Sequence, residues 1–208
     1  MLIRNALDAT TQMSLVKYAM HVADSDPDGG FWCKDKQGRK LHLNATHSRG
    51  RIYQRLDAYP DCAAIQNFCV QLVRAAKRNT QVSLPDMSPT HLLLLYYTGS
   101  NGLRWHRDMD PNDGDNREPI VSVSLGNTCR FGYKKYGHQK EYGDVRSGDV
   151  LIWGGPERNL LHCVEHVTKG SAPMGMEDVR LNFTFRSAPN ILGFERHYTS
   201  KQYFINEP

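Results

Sequence analysis

The chain has 208 residues, 39% of them hydrophobic and 23% charged, with a formal net charge of +4. That length suits one domain, and the composition excludes collagen, coiled coil and bulk disorder. No stretch approaches the ~18 uncharged apolar residues of a membrane helix, and the first residues carry Arg4 and Asp8 in place of an apolar secretory core. The five cysteines (Cys33, Cys62, Cys69, Cys129 and Cys163) are odd in number and form no C-x-x-C pair. This argues against a disulfide framework and a zinc ribbon. It fits a reducing, intracellular compartment, cytoplasm or nucleus. The small positive excess is compatible with a polyanionic partner without requiring one.

Residues 8–23 read as a helix, with Asp8 as its cap and Leu15, Ala19 and Val22 on one side. Asp24–Gly30 is a loop broken by Pro and two Gly. A second helix starts after Pro60, with Asp61 in the capping position. Its apolar stripe is Ile65, Phe68, Cys69, Leu72, Val73 and Ala76, and Arg74, Lys77 and Arg78 take the other face. From residue 91 short apolar runs alternate with Gly, Asn and Asp. Strands are expected near 91–97, 103–108, 120–126, 129–134, 149–153, 160–166 and 179–186. The class is therefore α+β: a β-sandwich with N-terminal helices packed on one sheet.

Val179–Arg186 is the most informative run. Val179, Leu181, Phe183 and Phe185 alternate with Arg180, Asn182, Thr184 and Arg186, so a strand places the two sets on opposite faces. If the polar face is open to water, this is an ordinary amphipathic edge strand. If it lines the inside of a sandwich, two buried guanidiniums require anions, and a dicarboxylate would satisfy both through paired N–H groups.

His106-Arg107-Asp108 puts two metal-binding side chains at i, i+2 on a predicted strand. His162 on another strand could add a third. Two histidines and a carboxylate form the facial triad of non-haem Fe(II) oxygenases, which leaves three positions for cosubstrate and O2. In isolation a His-x-Asp pair is as well read as a solvated histidine beside a turn-forming aspartate.

Taken together, HRDMD at His106–Asp110, PIVSVSLG at Pro119–Gly126, GDVLIWGG at Gly148–Gly155, the strand around His162 and RLNFTFR at Arg180–Arg186 resemble the AlkB family of Fe(II)/2-oxoglutarate-dependent dioxygenases. The resemblance spans residues 91–188. It implies a double-stranded β-helix, or jelly roll, with one domain over residues 1–208. Residues 1–90 would carry helices and a substrate lid, 91–188 the jelly-roll core and 189–208 a C-terminal extension.

It further implies that His106, Asp108 and His162 bind Fe(II). Arg180 would pair with the distal carboxylate of 2-oxoglutarate, helped by Asn182 and Tyr97, and Arg186 would approach the carboxylate next to the keto group. The implied chemistry is oxidative decarboxylation of 2-oxoglutarate to succinate and CO2, coupled to hydroxylation of an N-methyl group that then leaves as formaldehyde.

For a methylated base in DNA or RNA, single-stranded or flipped from a duplex, the resemblance points to Asp110 as partner of the cationic base and to Trp153 near it; the alternatives are a loop aspartate bonding its own backbone and a large residue packing beside His162. His47–Arg55 (HSRGRIYQR) would form the lid, with Arg51 and Tyr53 able to grip phosphate and stack on a base. A solvated basic loop with a core tyrosine is the alternative for that stretch. Two positions depart from bacterial AlkB: Leu95 replaces an Asn two residues before the cosubstrate tyrosine, and Asn44 stands where the lid carries Trp. They motivate a second reading, a 2-oxoglutarate-dependent hydroxylase or demethylase of a protein, lipid or small molecule. A non-catalytic nucleic-acid-binding jelly roll is the third. A monomer is expected.

Overall fold

The computed structural model describes residues 1–26, 30–34, 37, 40–42, 49–79, 83–108 and 116–188. Its frame is a six-stranded antiparallel sheet facing a four-stranded one. The larger sheet has the order β1 (Leu2–Ile3), β10 (Val150–Trp153), β7 (Ile120–Gly126), β12 (Arg180–Arg186), β5 (His91–Tyr97), β4 (Arg49–Arg55). The smaller runs β6 (Asn101–His106), β11 (Leu161–Val167), β8 (Cys129–Lys134), β9 (Glu141–Val145). Among the described residues a short pair, β2 (Trp32–Lys34) and β3 (Lys40–His42), completes the strands.

The alternation in β12 sorts its side chains as expected. Leu181, Phe183 and Phe185 share one buried cluster with Leu92, Leu94, Val121, Val123 and the inner faces of both helices. These are α1 (Ala9–Ser25), through Leu15, Ala19 and Val22, and α2 (Cys62–Asn79), through Ile65, Cys69, Val73 and Ala76. The opposite face of the large sheet carries Leu93, Leu95 and Tyr97, which pack on Cys129, Phe131, Val145, Val164 and Val167 of the small sheet. The helices thus cover one side of the large sheet and the small sheet covers the other. The central strands β5 and β7 are buried at every residue, which is why β5 reads as a near-continuous apolar run, while β7 interleaves Ser122 and Ser124 with apolar residues.

Asp8 caps α1, its carboxylate accepting from the Thr11 N–H at 2.7 Å. Asp61 holds the position before α2 with φ +50°, and its carbonyl accepts from Ala64 and Ile65. Among the described residues no helix is long and apolar enough to cross a membrane.

The structure corrects the sequence reading in three places. Arg49–Arg55 is an edge strand paired residue for residue with β5, not a solvated loop. Its Ile52 is buried, while exposed Arg51 and Arg55 keep the open edge charged against further pairing. Next, β6 ends at His106, so Asp108 lies beyond the strand. Last, β9 was not expected: it is an edge strand with mostly exposed residues, so it lacks the apolar alternation that marks a strand. Asn44, Asp110 and the extension 189–208 lie outside the described residues.

Candidate active site

The register between β11 and β6 builds the centre of the site. His162 pairs with His106, the next pair is Val164 with Leu103, and a bulge lies between them. Bulges re-aim side chains beside active sites, and here the two imidazole centroids are 4.2 Å apart. Asp108 turns back from beyond the end of β6. One carboxylate oxygen lies 3.7 Å from His106 Nε2 and the other 3.8 Å from His162 Nε2. The ligand atoms of all three residues fall within 4.8 Å of one another, a spacing that one metal ion can bridge.

Both rings are oriented from behind. His106 Nδ1 is 2.8 Å from the Arg104 carbonyl, and His162 Nδ1 is 2.9 Å from the Leu160 carbonyl. An Nδ1–H donated to each carbonyl leaves both Nε2 lone pairs directed at the centre, the usual support for a metal-binding imidazole. Burial, reinforced by the neighbouring His162, pushes His106 down to about 4, and burial also lowers His162. Both rings are therefore neutral at neutral pH, as metal ligation requires. Burial acts to raise the Asp108 carboxyl, but the charge of Arg186, followed by the two histidines, outweighs it and holds the group well below the usual carboxylate range. Asp108 is ionised and acceptor-ready.

The inner face of β12 forms the wall opposite. Arg180, Asn182, Thr184 and Arg186 line the same cavity as His106, Asp108 and His162, together with Tyr97, Ser122 and Trp153. Arg180 is 3% exposed. Its guanidinium lies over the Tyr97 ring at 4.9 Å, and one Nη donates to Ser124 Oγ at 3.1 Å. Its Nε and other Nη are buried without a hydrogen-bond partner. An unpaired buried cation is costly, so this wall is built for an anion that enters the cavity. A five-carbon diacid with one carboxylate on Arg180 and the other near the metal position fits that requirement.

The remaining expected residues divide by location. Asn182 reaches the cavity wall, but its amide donates to Ser122 Oγ and the Val123 carbonyl, and its own oxygen accepts from Thr184. It stiffens the wall instead of offering a free donor. Arg186 joins the Asp108 carboxylate, and its guanidinium also lies 5.4 Å from the Tyr53 ring. Tyr53 therefore faces inward from β4, and the exposed Arg51 lies over it at 5.5 Å. Trp153 stands 5.1 Å from the His162 ring, with a buried indole N–H that has no partner.

Three contributors were not read from the sequence. Ser122 and Ser124 support Asn182 and Arg180, and Arg158 donates to the Asp108 carbonyl at 2.7 Å. The serines' alternation in IVSVSLG was visible, but their partners depend on the neighbouring strand. Nothing marked Arg158, which looks like an ordinary loop cation.

The sequence model of the 2OG-Fe(II) oxygenase superfamily matches residues 1–186. The alpha-ketoglutarate-dependent dioxygenase AlkB of Escherichia coli (strain K12) is 32% identical over 197 residues, which span 89% of this chain and 88% of that protein. The chain belongs to the AlkB family. It is an Fe(II)- and 2-oxoglutarate-dependent dioxygenase with O2 as the second cosubstrate.

Other AlkB-family relatives agree. The DNA N(6)-methyladenine demethylase ALKBH1D of Arabidopsis thaliana is 36% identical over 116 residues, half of this chain and 26% of that protein. The solved structure of OsALKBH1 superposes with a TM-score of 0.70 at 24% identity, covering 90% of this chain and 97% of that one. A prolyl hydroxylase from Trichoplax adhaerens shares the fold at a TM-score of 0.56 and 15% identity. The jelly roll expected from sequence is therefore the AlkB-family fold.

Proposed function

We propose that this enzyme oxidatively demethylates N-alkylated bases in DNA or RNA. The observation that carries the reading is the shared cavity. His106, Asp108 and His162 converge on one side, and buried Arg180, with two unpaired guanidinium nitrogens, lines the same cavity. The Arabidopsis relative, a DNA N(6)-methyladenine demethylase, supplies the substrate class.

In this reading His106, Asp108 and His162 hold Fe(II). Arg180 takes the distal carboxylate of 2-oxoglutarate over the Tyr97 ring, Arg186 stands by the carboxylate near the metal, and Asn182 keeps the wall rigid. When bound, iron and 2-oxoglutarate supply oxidation of the N-methyl C–H bond with O2, releasing succinate, CO2 and, from the hydroxylated methyl group, formaldehyde. The chain positions that bond and excludes competing reactions. The carbonyls of Arg104 and Leu160 keep the imidazoles aimed, and Arg186 keeps Asp108 charged. Trp153 and Phe131 close the apolar side of the pocket beside His162. Asp110 would meet the positive charge of the methylated base, with Tyr53 and Arg51 at the pocket edge. A base must leave its stack to enter such a pocket.

The free thiols of Cys62, Cys69, Cys129 and Cys163 support an intracellular location.

The test is formaldehyde release from a panel of N-methylated DNA and RNA oligonucleotides, with Asp108→Ala as control. Activity on at least one oligonucleotide, absent in the control, is expected. Turnover of 2-oxoglutarate that no methylated oligonucleotide stimulates would reject the substrate class and leave a hydroxylase of another substrate.

A further inference from the structure

Asp108 has an unusual position for a metal ligand. Its neighbour His106 is fixed by the ladder to β11, where it pairs with His162. Asp108 lies past the end of β6, outside its ladder to β11 among the described residues. A carboxylate two residues beyond a strand needs another anchor if it is to meet both imidazoles before metal arrives.

Arg158 supplies one. Its guanidinium Nη1 donates to the Asp108 carbonyl at 2.7 Å across 50 residues of sequence. The residue is 3% exposed, and a cation this deep is held in one place by its partners. Its backbone is also pinned. Arg158 N–H donates to the Gly155 carbonyl at 3.2 Å, closing the short 3-10 turn Gly155–Glu157, and Leu160 N–H donates to the Glu157 carbonyl at 3.0 Å. The Leu160 carbonyl in turn meets His162 Nδ1. One turn thus carries both the support for the His162 ring and the anchor for Asp108.

We propose that Arg158 is a positioning residue that preforms the metal triad by fixing the backbone of Asp108 to the turn that orients His162. This rests on the reading of His106, Asp108 and His162 as the metal ligands. Arg186 holds the carboxylate and Arg158 holds the main chain behind it, so the two arginines constrain different parts of one residue. Such outer partners affect metal affinity by roughly 10–100-fold.

The test is titration of the full chain with Co(II), followed by its visible absorption, in wild type, Arg158→Met and Arg158→Lys. Arg158→Met is expected to bind Co(II) about 10–100-fold more weakly. Arg158→Lys, which keeps the charge without the fork, should fall between. 2-Oxoglutarate affinity of the metal-saturated variants should stay within about threefold, because Arg180 is untouched. A folded Arg158→Met protein with Co(II) affinity within about threefold of wild type would overturn the proposal. So would a lowered melting temperature with unchanged affinity, the mark of a cation that only fills the interior. If Arg158→Met does not fold, Arg158→Lys decides: weakening by about fivefold or more supports the proposal and wild-type affinity overturns it. Should the wild type bind Co(II) no better than His106→Ala, the ligand assignment itself fails and takes this inference with it.

Discussion

Arg186, the last residue of β12, donates to the carboxylate of Asp108 from 78 positions away in sequence. The two side chains are 17% and 4% exposed. Their pairing joins the cosubstrate wall to the metal centre, because Arg186 shares its strand with Arg180 and Asp108 shares its triad with both histidines.

Removing Arg186 leaves a buried carboxylate without its main counter-charge. Arg186→Met should destabilise the metal-free protein by roughly 3–5 kcal/mol. A bound divalent cation supplies a replacement charge, so Mn(II) should stabilise the variant more than it stabilises wild type. Urea unfolding with and without Mn(II) measures both, and equal stabilisation of the two proteins would contradict the pairing.

In the proposed function Arg180 binds the cosubstrate and leaves the metal to the triad. Arg180→Met should raise the KM for 2-oxoglutarate by about 10–100-fold, the loss expected for a charge-assisted bond of roughly 1.5–3 kcal/mol. Co(II) affinity should be unchanged. Succinate formation against 2-oxoglutarate concentration gives the first number and a metal titration the second.

The metal-free protein should lose stability as the medium is acidified from neutral pH. His106 titrates near 6.5 unfolded and near 4 folded. Between those values the unfolded chain holds the extra proton, so stability rises with pH and falls as pH drops from about 6.5 toward 4. The full effect is on the order of 3 kcal/mol, and His162 adds in the same sense. Asp108 has the opposite charge type. Its stabilisation is complete above its unfolded value of 3.8 and declines only below it, outside this window. Urea midpoints from pH 7.5 to 4.5 should fall for wild type and fall less for His106→Asn.

Gly102 lies in β6 beside the bulge. A Cβ there would fall on the carbonyl oxygen of Val164 in β11, and neither backbone can yield without opening the ladder that aligns His106 with His162. Gly102→Ala should cost about 1–3 kcal/mol or more and weaken Co(II) binding. Thermal melting and metal titration together check this, and unchanged metal affinity would show that the ladder tolerates the insertion.

The contrast between β12 and β4 shows where sequence stops being informative. In β12 the greasy residues alternate strictly with Arg, Asn and Thr, so the strand and its two faces were legible, while burial of the polar face was decided by the packing of the small sheet against it. Among the described side chains of β4, Gly50 and Ile52 are buried, Tyr53 and Gln54 half-buried, and Arg51 and Arg55 exposed. With three arginines in seven residues, the stretch reads as a polar loop, and only its ladder to β5 makes it a strand. Arg158 follows the same rule: its importance comes from a contact made across 50 residues.

Local alternation by itself pointed to a sandwich with helices on one face, and the family resemblance, not periodicity, singled out His106, Asp108, His162 and Arg180 as the expected ligands, because alternation records which side of a strand a residue takes and not which distant residues it meets. Tertiary structure decided that Asp108 reaches the histidines from outside its strand, that Asn182 is a brace and that Arg158 stands behind the triad. Strand register and bulges set such meetings, and they result from the packing of distant segments, which no local pattern encodes.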